Sequence, residues 1–169
     1  MKKLTCFLIL AAFIAAFSSA QVDEILKLKE KIIDIQNKGD LGFRNFALCS
    51  NIAGFASYVP LAGNVLDKQG SLLVYYEPVN VFTNKKEGLY EIWYMQDMAL
   101  LKDSGEVLQE WNDILNFHYT TKSPVMDLFA QNSIDLKGSL PAGKYKFKAV
   151  LKDKLKGLSA AKIVDFEIR

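Results

Sequence analysis

Polar and apolar positions alternate along this chain with two different periods. Between Val22 and Gln36 the apolar side chains Val22, Ile25, Leu26, Ile32 and Ile33 recur at steps of three and four; Asp23 and Glu24 lie in the first turn, and Lys38 with Gly39 closes it. That spacing predicts one amphipathic helix over residues 21–40, packed against the domain or standing as a short spacer. A coiled-coil seam would want three or more heptads, and only about two are present.

From residue 43 the period becomes two. Phe46, Leu48, Ser50 and Ile52 alternate with Ala47, Cys49 and Asn51, until Gly54 and Pro60 break or bend the run. Leu72 to Phe82 predicts a long strand with apolar residues on both faces, as in a strand near the centre of two packed layers. Leu89 to Leu100 predicts another, with Tyr90, Ile92, Tyr94 and Met98 on one side and Glu91, Trp93, Met95 and Asp97 on the other. KDSG at residues 102–105 reads as a hairpin turn. Residues 107–119 fit either a helix, from Val107, Leu108, Trp111, Ile114 and Leu115, or a strand interrupted near Asn112 and Asp113. The hairpin turn before them and the aromatic FHY after them favour strand. Val125 to Leu136 holds a further strand around Ile134.

The last third is the most regular. Tyr145, Phe147, Ala149 and Leu151 share one face and Lys144, Lys146 and Lys148 the other. After the turn KDKLKG, Val164, Phe166 and Ile168 alternate with Ile163, Asp165 and Glu167. The lysine row is read as the solvated face of a half-buried strand rather than as a polyanion site. Lysines on such a face also discourage pairing with another chain.

Composition changes the picture mainly through the first residues. Lys2 and Lys3, the apolar run Leu4–Phe17, and the small residues Ser18, Ser19 and Ala20 predict a cleavable signal peptide over residues 1–20. The run is too short for a transmembrane anchor, which would take about 20 apolar residues. Export to the periplasm or beyond the cell is therefore expected, with no transmembrane segment after cleavage. The chain carries 21 Lys and Arg against 19 Asp and Glu. Removal of the peptide takes away Lys2 and Lys3 and leaves a balanced charge. A balanced chain gives no global steering towards nucleic acid, so no nucleic-acid partner is expected. Cys6 leaves with the peptide, and Cys49 alone can form no intrachain disulfide. Between Leu48 and Ser50 it is expected to be a small buried hydrophobe.

Leu140, Pro141, Gly143 and Tyr145 resemble the tyrosine corner of immunoglobulin-like and fibronectin type III-like sandwiches, in which a tyrosine hydroxyl bonds back to upstream backbone. The strand, the DKLKG turn and SAAKIVDFEI that follow are similar to the last hairpin of Ig-like modules in exported bacterial proteins. LCSNIAGFASYVPL with LLVYYEPVNVF is similar to an uncharacterised group of such proteins with a helical N-terminus. The chain lacks the cysteine pair of antibody domains. The resemblance implies an all-β, immunoglobulin-like antiparallel β-sandwich over residues 41–169, with one amphipathic helix in front. A closed lipocalin-type barrel is the competing architecture.

Catalytic chemistry has little to stand on. His118 is the only histidine, which excludes a metal site of two or three imidazoles. A Cys49–His118 nucleophile and base pair lacks any local signature. The acids Asp97, Asp103, Glu106, Glu110 and Asp113 do not form a calcium loop. No catalytic residue, metal or cofactor is expected. The aromatics are the remaining lead. Trp93, Trp111 and Tyr119 are candidates for a flat platform if the tryptophans point outward; both in the core is the favoured alternative. The expectation is thus a non-enzymatic exported structural or interaction module, meeting a protein through a sheet face or edge. A glycan- or apolar-ligand-binding module using the aromatic face is the competitor.

Overall fold

A computed structural model describes residues 21–169; the predicted signal peptide, residues 1–20, lies outside the described residues. Residues 21–36 form helix α1, and ten strands follow. They are β1 (Gly42–Gly54), β2 (Ser57–Pro60), β3 (Val65–Leu66), β4 (Ser71–Val79), β5 (Thr83–Lys86), β6 (Leu89–Lys102), β7 (Val107–Thr121), β8 (Ala130–Asp135), β9 (Gly143–Asp153) and β10 (Leu158–Ile168). The protein is mostly β, with one helix and two sheets. One sheet runs β2-β1-β4-β8. The other runs β3-β10-β9-β6, with β5 on the same flank of β6 as β9 and β7 alone on its far flank.

Alternation places the core. From the first sheet come Leu48, Leu72, Val74 and Tyr76; from the second come Ile92, Tyr94, Met98, Leu100, Phe147, Ala149, Leu151, Phe166 and Ile168. All are buried, so the two sheets enclose one apolar layer between them. Burial of these side chains is the main driving force of the fold, at about 1.5–3 kcal/mol for each large one.

Two elements differ from the expectations, and a third, open between helix and the favoured strand, is strand. The helix ends at residue 36 rather than 40, because Lys38 N–H bonds Ile35 O and Gly39 N–H bonds Gln36 O, which tightens the last turn. Gly39 then passes so close to Asn80 that a Cβ there would lie 2.5 Å from Asn80 Nδ2. The strand expected over 72–82 stops at Val79, where Asn80 turns with φ 58° and donates to Asp40 O. Residues 107–121 are strand throughout. Their helix-like spacing has a physical cause: between the pairs Trp111↔Met98 and Leu115↔Gln96, three residues of β7 face one of β6. Asp113 sits in that bulge at φ 54°, its N–H held by Asp97 Oδ1 at 2.8 Å. Two residues of one strand face thereby come to lie four apart.

Lys144, Lys146 and Lys148 lie on the outer face of β9, opposite Glu167, Asp165 and Ile163 of β10. Lys146 reaches Asp103 at 3.2 Å and Asp165 at 3.8 Å, and Lys152 joins Asp97 at 2.6 Å and Asp113 at 3.0 Å. Acids thus interleave the row, and its positive field is cut locally. At the start of β9, Tyr145 hydroxyl donates to Pro141 O at 2.8 Å, and Leu140 packs against the core. Gly143 lies against the Tyr145 ring, where a Cβ would stand 3.7 Å from the ring edge.

A second polar anchor lies on the other sheet. Glu77, 1% exposed, accepts from Arg44 at 2.6 Å, Asn45 at 2.9 Å and Tyr75 hydroxyl at 2.8 Å. The bulge in β1 at Asn45, φ 52°, aims both donors at it. Burial pushes the carboxyl up, but the bonds from Asn45, Tyr75 and Arg44 outweigh it and hold Glu77 below the ordinary value of 4.5. A lowered folded value contributes stability above 4.5 that is lost as pH falls through the folded value. Glu77→Gln is expected to cost about 1–3 kcal/mol at neutral pH and to flatten the acid limb of the stability curve. Urea melts across the acid range check this, and an unchanged acid limb counts against it.

Candidate functional site

The platform residues are not brought together. Trp93 lies on the outer face of β6, stacked on His118 with ring centroids 4.4 Å apart, its Nε1 donating to Asn116 Oδ1 at 2.9 Å. Lys154 Nζ stands 6.0 Å from the Trp93 ring centre. Trp111 is on the inner side of β7, paired with the core residue Met98 and packed against the core. Tyr119 shares that inner side but is exposed, tilted against Phe117. Two opposite faces cannot make one flat platform. Both alternatives weighed for the tryptophans therefore fail: one ring is outside, the other half inside.

His118 and Cys49 are also apart. His118 projects from β7 and contacts Glu91 at 2.9 Å, whereas Cys49 is buried in β1 of the other sheet. Burial pushes the Cys49 thiol up, so it is a poor nucleophile. Among the described residues, no group of three or more His, Cys, Asp or Glu is placed to hold a metal ion.

A different place has the build of a site. β7 and β8 are the outer strands of the two sheets, and the core opens between them. The opening is a groove of about 290 Å³ walled by Tyr94, Leu115, Phe117 and Phe129, with Gln96 and Asn132 also lining it. Both amides are inward residues of strands: Gln96 follows Tyr94 at the next inward position of β6, and Asn132 stands between Ala130 and Ile134 in β8. Gln96 is 1% and Asn132 7% exposed.

One directed chain of hydrogen bonds joins them. Tyr76 hydroxyl donates to Gln96 Oε1, and Gln96 Nε2 donates to Asn132 Oδ1 at 2.8 Å. Burial pushes Tyr76 far up, so its hydroxyl stays a donor, and burial pushes Tyr94 up to about 12. With Oε1 and Oδ1 both accepting, the two amides are oriented, and the chain ends at Asn132 Nδ2. That nitrogen is buried without a hydrogen-bond partner. A buried donor left open costs about 1–3 kcal/mol, so an acceptor placed in the groove would recover that energy. The pattern reading missed both amides, although the signal was present: a Gln and an Asn at inward positions of otherwise apolar strand faces.

No family model matches the chain, and no curated protein matches it. Among solved structures, the chain is similar to the Pseudomonas fluorescens alkylpurine DNA glycosylase AlkC bound to DNA containing an abasic site analog. The TM-score is 0.44 and the identity 8%, over 78% of this chain and 31% of that one. The chain thus spans about a third of that protein's length. On this finding the expected non-enzymatic exported module is withdrawn, and with it the competing glycan- or apolar-ligand-binding module on a surface aromatic face. So are the partner expectations, including the exclusion of nucleic acid. The exclusion had rested on net charge, which sums the whole chain and does not describe any one patch. At this level of likeness the glycosylase lends this chain neither an activity nor a ligand.

Because Trp93 and Trp111 stand on opposite faces, their truncations are expected to act independently. Trp111→Ala should cost about 2 kcal/mol through lost packing, and Trp93→Ala about 0.5–1.5 kcal/mol through the lost stack on His118. The double variant should match the sum to within about 0.5 kcal/mol in denaturant melts. A larger coupling would mean that the two rings share a site.

Proposed function

We propose that the chain is an Ig-like sandwich that binds a small neutral molecule bearing a hydrogen-bond acceptor, in the groove between β7 and β8. The observation that carries the binding reading is the open donor Asn132 Nδ2, set among aromatic and aliphatic walls. The Ig-like reading is supported by the pairing of the last hairpin, β9–β10, with β6 in one sheet while β1, β4 and β8 form the other. The bond from Tyr145 hydroxyl to Pro141 O is of the tyrosine-corner kind.

The walls decide the ligand chemistry. No charged side chain lines the groove, so a carboxylate or phosphate entering it would lose its hydration without a counter-charge. A ketone, ester or amide carbonyl on an apolar body keeps the gain from Asn132 at little desolvation cost. The volume suits a molecule of roughly one ring with a short substituent, at the lower end of known ligand pockets. The rings of Phe117 and Phe129 favour an aromatic body through offset stacking.

Acetophenone and ethylbenzene differ in the carbonyl alone and make a direct test. Two-dimensional NMR of the ¹⁵N-labelled protein is expected to show acetophenone shifting the Asn132 side-chain amide and binding about fivefold tighter than ethylbenzene, the worth of one net hydrogen bond. The triple variant Tyr76→Phe, Gln96→Leu, Asn132→Leu, which leaves no orphaned donor in the hydrogen-bond chain, should remove the difference while keeping the fold, read from its thermal melt. Equal binding of the two molecules, or an unmoved Asn132 amide, would sink the proposal and leave the donor to solvent.

A further inference from the structure

Helix α1 is amphipathic twice over. One side holds it to the body of the protein. Ile33 is buried; Glu30 accepts from Lys85 at 2.6 Å and from Tyr90 hydroxyl at 2.5 Å; Asn37 exchanges two 2.9 Å bonds with the Thr83 backbone. The other side is apolar and open. Val22, Ile25, Leu28, Ile32 and Ile35 are between 44% and 71% exposed. At a helical advance of about 100° per residue, Ile25, Leu28, Ile32 and Ile35 form one stripe well away from Ile33. A stripe like this in water is costly unless something covers it.

The spacing of the stripe limits what that cover is. Positions 25, 28, 32 and 35 are the a and d positions of two heptads, with Ile at a, the spacing by which helices interlock. Flanking charges then choose the arrangement. In a parallel, in-register pair, Glu24 at g faces Lys29 at e of the other copy, twice by symmetry. In an antiparallel pair centred on the stripe, Lys29 meets Lys29 and Lys31 meets Lys31. An anionic lipid surface finds no net attraction here, since within α1 the acids Asp23, Glu24, Glu30 and Asp34 outnumber Lys27, Lys29 and Lys31. Lys29 is available: its one bond, to Ser123 Oγ, is exposed and 3.2 Å long.

We propose that α1 is the seam through which a second copy of this chain pairs, parallel and in register, on Ile25, Leu28, Ile32 and Ile35. Two heptads bury far less than a standard interface, so the pairing is weak and concentration-dependent. It leaves the groove between β7 and β8 untouched, and neither inference depends on the other.

Sedimentation velocity over a dilution series of the protein, expressed with its complete sequence, tests this. The wild type is expected to pass from monomer to dimer as concentration rises. Ile25→Glu with Ile32→Glu should weaken association at least about tenfold without loss of helical circular dichroism. Both substituted side chains face water in the monomer, so a folding defect is not expected from them. Glu24→Lys and Lys29→Glu should each weaken self-association, and their mixture should restore a heterodimer; in an antiparallel seam, where position 24 lies opposite Gln36, Glu24→Lys alone would leave association unchanged. A monomer at every concentration, a dimer indifferent to the stripe, or binding to anionic vesicles as a monomer would overturn the proposal.

Discussion

The hydrogen-bond chain from Tyr76 through Gln96 to Asn132 is the constraint around which the rest of the core is arranged. It crosses the apolar layer twice, from β4 of one sheet to β6 of the other and back to β8. An apolar core alone specifies the register of its sheets less sharply, because several apolar packings of similar volume lie close in energy. Buried amides do not, since each unmade bond costs the desolvation of its group. Gln96 can meet both partners only when Tyr94 and Met98 occupy their present inward positions. A slip of one residue would turn Gln96 outward and Met95 or Asp97 inward. The register of β6 is thereby specified, and with it the positions of β7 and β9, which pair along its two flanks.

The same chain explains why the protein has a groove at all. A directed series of donors and acceptors must end somewhere, and here it ends where β7 and β8 leave the two sheets unsealed. Had Asn132 been a Leu, Gln96 Nε2 would lack its acceptor, and the open donor would sit one residue earlier in the hydrogen-bond chain. Specificity of register and an open donor are therefore two consequences of one placement. A buried polar network that fixes register cannot both close on itself and run to the edge of the core.

Much of the fold was legible because burial is one-sided. Tyr145, Phe147, Ala149 and Leu151 point inward with lysines between them, and the strand follows from that alternation alone. α1 was legible for the same reason, and so was Cys49 as a buried thiol. The lysine row needed the neighbouring strands before its acids could be seen, because Asp97, Asp103 and Asp165 are distant in sequence. β7 was ambiguous because its bulge at Asp113 converts a period of two into a spacing of four, which a linear pattern cannot tell from a helical turn. β2, β3 and β5 are too short to show a period. The site was hidden for another reason: a polar residue on an apolar face stands out only against the parity of its strand, and aromatic residues drew the eye to Trp93, which lies on the other face.

The twofold amphipathicity of α1 sets it apart from the rest of the molecule. Elsewhere most large apolar side chains turn into the single core, apart from scattered exposed ones such as Val59 and Ile163 and the stack of Tyr58 on Tyr75. In α1 the helical period lets sixteen residues present two apolar faces, and the one that docks is the smaller, anchored by Ile33 and by polar bonds from Lys85, Tyr90 and Thr83. Polar anchoring frees Ile25, Leu28, Ile32 and Ile35 from duty in the core. A helix that needed only to cap β5 and β6 would gain nothing from four large exposed hydrophobes in heptad spacing, and would lose solubility by them. The division of labour between the two faces is what makes the outer one an interaction surface rather than an incompletely buried part of the core.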